Sequence, residues 1–279
     1  MSGGGSTRGP VAAALAVLFA SAALLTMGNG LAGTLVSVRA SAEGFAPAVT
    51  GAVMAAYFAG FVAGSFALPA LVRRVGHIRT FAAMISLASI AALAYALWVE
   101  PLFWTLLRFA HGACLAGGIM VIESWLNAIA TRATRGRILA LHGIVIFAAW
   151  AASQLWLTAA PVEGFVLFVV VSMLKSAAML PLLLTDVRAP VVAAATRAPL
   201  LKLVQTSPLA VVACFAVGFV TGATLSLGPV YAAEIGLDQA GVSLFMAALL
   251  VGAMVLEWPL GAGSDRLDRR WVLTLAAVA

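Results

Sequence analysis

Apolar residues run along this chain in eight long blocks, over about residues 11–37, 49–71, 80–98, 102–129, 138–159, 165–184, 209–232 and 240–260, separated by short polar gaps. A bilayer core of about 30 Å takes about 20 residues of helix, and a helix satisfies its own backbone hydrogen bonds where there is no water. The pattern therefore predicts eight transmembrane helices. Composition agrees, because 63% hydrophobic and 9% charged residues in a 279-residue chain leave too little polar surface for a water-soluble globule. Mean hydropathy is +1.10.

A ninth apolar run starts at Trp271 and stops at Ala279, nine residues or about 13 Å of helix. The chain is thus expected to be truncated in helix 9. The first block follows Arg8 and ends near an A-x-A sequence, Ala40 to Ala42. It is far longer than the 7 to 15 apolar residues typical of a secretory signal, so a retained first helix is expected. Residues 1–10 read as a short disordered lead.

Charge adds an orientation. Arg8, then Arg73, Arg74 and Arg79, then Arg132, Arg135 and Arg137, then Arg188, Arg197 and Lys202, then Arg266, Arg269 and Arg270 fall in the lead and the even-numbered gaps. The odd gaps hold Arg39 alone. The positive-inside rule puts the N-terminus and the even gaps in the cytoplasm and the protein in the inner or plasma membrane. Basic residues spread over separate loops form no nucleic-acid footprint. A monomer is expected.

Most chemical motifs are absent. Cys114 and Cys214 lie within blocks, where cysteine acts as a small packing residue. His77, His111 and His142 are too scattered for a metal site, and no phosphate loop or nucleophile elbow occurs. Neither an enzyme nor a resident cofactor is expected. Gly28 to Gly33 matches a dinucleotide fingerprint in letters only, since no strand precedes it and no acidic residue follows about 20 positions on. Gly28, Gly30 and Gly33 instead suit close helix packing or a bend, as do the pairs Gly60/Gly64 and Gly218/Gly222. Asn29 among them needs partners, either on a neighbouring helix or in a polar cavity.

Two gaps echo each other six spans apart: R-R-V-G-H-I-R between helices 2 and 3, and S-D-R-L-D-R-R between helices 8 and 9. The recurrence suggests duplicated six-helix halves, common in secondary transporters. The expected division is 11–186 for the N-terminal half, 187–207 for a cytoplasmic linker broken by Pro190 and Pro199, and 208–279 for a partial C-terminal half.

Gly261, Asp265, Arg266, Arg269 and Arg270 resemble the G-x-x-x-D-R-x-G-R-R signature of the major facilitator superfamily. The first copy keeps Arg74 and Gly76 but has Arg73 where the family has Asp, and the second has Asp268 where the family has Gly. Arg108, His111, Gly112 and Gly117 resemble the helix-4 pattern R-x-x-Q-G with His for Gln, and the run E-S-W-L-N at 123–127 is similar to the YcaD-like branch of bacterial transporters. Helix 5 lacks the G-P-x-x-G-G of drug/proton antiporters. The resemblance implies an all-α bundle of two six-helix halves, with the two signature loops as a conformational latch on the cytoplasmic side.

Charges inside the blocks narrow the candidate site. A charge at mid-bilayer costs at least about 2.5 to 3.5 kcal/mol, so Arg108, Glu123, Lys175 and Glu257 need partners or water. Arg108 either snorkels outward or faces a cavity, and the family pattern around it favours the cavity. His111 is one turn along the same face and suits either proton exchange or a structural role. Lys175 lies too deep to snorkel. Glu123 and Glu257 lie close to the cytoplasmic side, within reach of basic gaps. Gln154 and Trp156, with Trp125 and Trp150, are candidate cavity groups.

The expected function is a secondary active transporter that moves a small solute by alternating access, coupled to protons. Arg108 and Lys175 would bind or tune the solute, His111, Glu123 or Glu257 would carry the proton, and Asn29 and Gln154 would line the cavity. Uptake by symport, efflux by antiport and a non-transporting sensor on the same scaffold remain open. Two buried cations point to an anionic or zwitterionic solute unless carboxylates pair with them.

Overall fold

The computed structural model of the chain describes residues 8–184 and 204–266, with side chains over 11–184 and 204–256. Eight helices carry it, all long and apolar enough to cross a membrane. They are α1 (Arg8–Ala42), α2 (Pro47–Val75), α3 (His77–Leu97), α4 (Pro101–Ile129), α5 (Arg135–Leu155), α6 (Val166–Leu183), α7 (Pro208–Glu234) and α8 (Gln239–Arg266), with a 3-10 turn, Trp156–Ala159, after α5. No strand occurs among the described residues. Of the expected linker only 204–207 is described, and the expected ninth helix lies outside the described residues.

Local chemistry sets the boundaries. Proline opens α2, α4 and α7, where its missing N–H costs nothing and its fixed φ suits the first turn. The Glu100 side chain caps α4 by accepting from the Phe103 N–H at 2.7 Å. Gly76 separates α2 from α3 at φ 90°, a region where a side chain is strained, and its N–H closes α2 on the Val72 carbonyl.

Two boundaries differ from the sequence expectation. α1 starts at Arg8, inside the expected disordered lead, and runs on through the A-x-A sequence to Ala42. There Arg39 pairs with Glu43 one turn later at 2.5 Å and donates to the Val162 carbonyl, so polar partners carry the helix past its apolar block. α8 reaches Arg266, which makes Gly261, Asp265 and Arg266 helical and not loop residues. Arg269 and Arg270 lie outside the described residues.

The helices alternate in direction, so Arg73, Arg74, Arg79, Arg132, Arg135 and Arg137 gather at one end of the bundle, called the basic end below. The other is the far end. α1 runs through the middle, against α5, α6 and α7, while α2 packs along α4 and α3 bridges α4 and α6. Two apolar cores stack along the bundle. Leu31, Leu35, Met54, Trp104 and Phe168 belong to the far-end core, and Leu18, Phe81, Ile85, Trp125 and Leu182 to the basic-end core.

The α2–α4 crossing is backbone on backbone. A Cβ on Gly60 would strike the Phe109 carbonyl, one on Gly112 the Tyr57 carbonyl, and one on Gly64 would lie 2.7 Å from the Ala113 carbonyl oxygen. Without a hydrophobic force between helices in lipid, such close approach supplies the contact energy. Gly60 and Gly64 thus act as the packing pair read from the sequence. Gly218 meets nothing within 4 Å and Gly222 meets only the Phe58 ring at 3.6 Å, so the second pair makes no such crossing.

Candidate functional site

Two chambers follow one another along α1, and the side chains between them come from three helices. The far-end chamber, of about 230 Å³, lies between the first six helices and α7–α8; Thr34, Met54, Arg108, Thr221 and Met246 line it. The basic-end chamber, of about 240 Å³, is lined by Leu25, Leu115, Ile122, Glu123 and His142 among others. Asn29, Tyr57 and Trp150 line both chambers. The Asn29 amide donates to the Tyr57 hydroxyl at 3.3 Å, so a hydrogen-bonded pair and an indole form the septum.

Tyr57 is the hub. The Arg108 guanidinium lies over its ring, 5.0 Å from the centroid, and the His111 ring meets it edge-on at 6.1 Å. A cation over a tyrosine face is attracted by the ring quadrupole. Arg108 is only 3% exposed, so it does not snorkel; its Nη2 reaches the Met54 thioether at 3.1 Å and its Nε has no partner. A thioether is a weak acceptor and leaves the charge nearly uncompensated.

Behind Arg108, His111 and Lys175 are both 0% exposed. Neither imidazole nitrogen of His111 has a hydrogen-bond partner, nor does the Lys175 ammonium. All three groups lie within electrostatic range of one another. Lys175 packs across α1 at Gly28, where an added Cβ would stand 3.1 Å from its Cγ. Arg39–Glu43 is the one ion pair among the described residues, so no described carboxylate pairs with Arg108 or Lys175.

Other expected site residues fall elsewhere. Glu123 is exposed at the basic-end chamber and forms no ion pair with a described cation. Gln154 is buried in a joint, accepting from the Thr34 hydroxyl at 2.7 Å while its carbonyl accepts from the Ser243 hydroxyl at 2.5 Å. Trp125 is core, Trp156 is 41% exposed, and of the four named polar-aromatic groups Trp150 alone faces a chamber. Cys114 is buried and Cys214 is exposed among the described residues. Arg73 and Arg74 are exposed in the last turn of α2 beside Gly76. The side chains of Glu257, Gly261, Asp265 and Arg266 lie outside the described set.

Tyr57 and His142 are functional candidates that the sequence reading did not single out. Tyr57 is the lone tyrosine of α2, a signal that was available. His142 stacks on Phe19 at 6.3 Å with a free Nε2, and only the fold sets it in the same chamber as Glu123.

Further joints close the far end. The Ser37 hydroxyl donates to the Ser226 carbonyl at 2.6 Å, tying α1 to α7. The Gln239 amide donates to the Leu157 and Ala160 carbonyls, tying α8 to the turn after α5.

Comparison with known proteins gives one answer. A family model described as Major Facilitator Superfamily matches residues 18–279. An uncharacterized MFS-type transporter from Enterobacter sp. (strain 638) is 29% identical over 253 residues, which is 90% of this chain and 66% of that protein. The uncharacterized MFS-type transporter YcaD of Escherichia coli O7:K1 is 30% identical over 262 residues, 92% of this chain and 68% of its own length. This chain therefore spans about two thirds of the relatives it matches. The crystal structure of the nucleoside transporter NupG superposes with a TM-score of 0.70 at 16% identity, over 91% of this chain and 68% of that one, a likeness of fold alone.

Proposed function

The chain belongs to the Major Facilitator Superfamily, and on that premise we propose that it is a secondary active transporter, coupled to protons, that carries a small solute by alternating access. The observation that carries this reading is the pair of chambers divided by Asn29, Tyr57 and Trp150. A carrier needs a site near the midplane that each side reaches in turn, with a removable barrier. Here the barrier is a few side chains and one hydrogen bond, weak enough to open.

Residues 11–186 form the first six-helix half, 187–207 the linker, and 208 onward belongs to the second. The basic end faces the cytoplasm of a cell membrane, and the far-end joints at Ser226, Ser243 and Gln239 hold the outer side shut. Arg73, Arg74 and Gly76, with Gly261, Asp265, Arg266, Arg269 and Arg270, form the latch that closes the cytoplasmic side in the opposite state. Arg108 binds the solute, Lys175 raises the positive potential behind it, and His111 packs edge-on against Tyr57 beside them. Glu123 carries the proton in the cytoplasmic chamber, with His142 as its neighbour and Glu257 on the facing half. Glu123 suits this role because it is reachable from the chamber and unpaired, whereas His111 is enclosed.

Proteoliposomes that hold the protein and a trapped pH-sensitive dye test the reading. Under an imposed pH gradient, some compounds of a metabolite panel should drive proton movement, and the sign of that movement separates symport from antiport. Glu123→Gln should abolish proton movement and spare solute exchange. A folded protein that moves no compound of a broad panel would be a non-transporting scaffold, and the proposal would fall.

A further inference from the structure

The far-end chamber combines a charge that has no counter-ion among the described residues with mostly apolar walls. Arg108 turns its guanidinium into this space, only 3% exposed, and holds one thioether contact and one tyrosine face, with Tyr95 also within electrostatic reach. The described carboxylates are engaged or distant. Glu43 pairs with Arg39, Glu100 and Asp238 cap helices, Glu163 and Glu234 are exposed and do not line the chamber, and Glu123 stands fifteen residues along α4, about 22 Å away on the helix axis. Glu257 follows Met246, a lining residue, by eleven positions along α8, or about 16 Å toward the basic end.

Leaving that charge bare inside a membrane is expensive. An anion relieves the cost, and a carboxylate matches the two-pronged guanidinium better than a spherical ion does. Lys175, unpaired and within electrostatic range, adds positive potential and disfavours a cation. Met54, Phe58, Phe61, Trp150, Leu225 and Met246 supply an apolar and largely aromatic wall. The Thr34 hydroxyl is committed to Gln154, so the wall's remaining polar groups are the unpartnered Asn29 side-chain oxygen and the Tyr57, Thr221 and Ser226 hydroxyls, few beside its apolar side chains. A cavity of about 150 Å³ holds a benzene ring, so the 230 Å³ here holds a ring with one substituent, about ten non-hydrogen atoms.

We infer that the solute of the far-end chamber is a small organic monoanion with a flat apolar body, of the benzoate type, its carboxylate seated on Arg108. This rests on the carrier reading above, and the test separates the two. Thermal unfolding of the detergent-solubilised protein is followed with benzoate, with its neutral isostere benzamide, and with inorganic phosphate and chloride. A ligand of the folded state raises the midpoint in proportion to the logarithm of its concentration over Kd. Benzoate should raise the midpoint in a saturable way, and the other three should not. Arg108→Gln should weaken benzoate binding by at least about ten-fold, the usual cost of losing a charged hydrogen bond, and Arg108→Lys should restore part of it. The wild-type comparison needs no variant and stands even if Arg108→Gln fails to fold.

Equal stabilisation by benzamide overturns the anion, and equal stabilisation by phosphate or chloride overturns the apolar body. Undiminished binding to folded Arg108→Gln overturns the seat. Flux of labelled benzoate into proteoliposomes then tells the failures apart: saturable binding without flux overturns the carrier and leaves the site. Flux of a neutral or cationic compound, with no benzoate binding, overturns the site and leaves the carrier.

Discussion

The Asn29 amide donates to the Tyr57 hydroxyl at 3.3 Å across the α1–α2 contact, and this pair stands between two chambers. Its partners are 28 residues apart in sequence. Removing the ring should open a passage that removing the hydroxyl alone only loosens. With Cys114 and Cys214 replaced by alanine and serine, a cysteine put at Thr221 in the far-end chamber reports access from the basic end. Tyr57→Ala should raise its rate of labelling by a soluble thiol reagent several-fold, and Tyr57→Phe much less. Equal rates in all three proteins would mean that Tyr57 is no barrier.

Lys175 separates stability from function. Its ammonium is fully buried with no hydrogen-bond partner, and unpaired charge in the membrane interior costs at least about 2.5 kcal/mol. Lys175→Met keeps the length and removes the charge, so the unfolding midpoint in detergent should rise while solute flux in proteoliposomes falls. A lower midpoint would show that the ammonium has a stabilising partner.

The α2–α4 crossing predicts the reverse kind of variant. Gly112→Ala drives a methyl into the Tyr57 carbonyl and Gly60→Ala into the Phe109 carbonyl. Both contacts are backbone and cannot turn aside, so each change should cost about 1 to 3 kcal/mol or more. Gly218→Ala, at a position with nothing within 4 Å, should cost nothing. Thermal unfolding of the three variants side by side checks this, and a Gly112→Ala midpoint matching wild type would sink the crossing.

Arg39 joins Glu43 at 2.5 Å, yet the two side chains are 13% and 31% exposed. An ion pair so near solvent contributes about 0 to 1 kcal/mol. Glu43→Gln should therefore leave the midpoint almost unchanged. Arg39→Ala should lower it more, because the Val162 carbonyl loses its donor as well.

Orientation is open to direct labelling. Single cysteines at Arg74 and Arg135, both at the basic end, should resist a membrane-impermeant thiol reagent applied to intact cells and react in inside-out vesicles. A cysteine at Glu163, at the far end, should do the opposite. Labelling of the Arg74 site from outside would invert the whole assignment of sides.

Much of the scaffold was legible in the residues alone. The eight apolar blocks became eight helices, within a few residues at most ends, because transfer into lipid is a local and nearly additive property of a stretch of side chains. The exceptions are informative: α1 outlasts its block because Arg39 finds Glu43 and Val162, and α8 carries its signature residues Gly261, Asp265 and Arg266 within the helix. Arg108 and Lys175 were visible as charges out of place, since hydrocarbon makes any unpaired charge conspicuous.

Which side chains meet was not legible. Thr34 with Gln154 and Ser37 with Ser226 join distant parts of the chain. Each contact depends on how every helix is rotated about its own axis. In water an apolar stripe announces the inner face of a helix, but in lipid both faces are apolar and the stripe fades. Length and number of the described helices came from hydropathy. The chambers, the septum and the isolation of the Arg108 charge came only from packing, through close glycine contacts and single hydrogen bonds that no local pattern encodes.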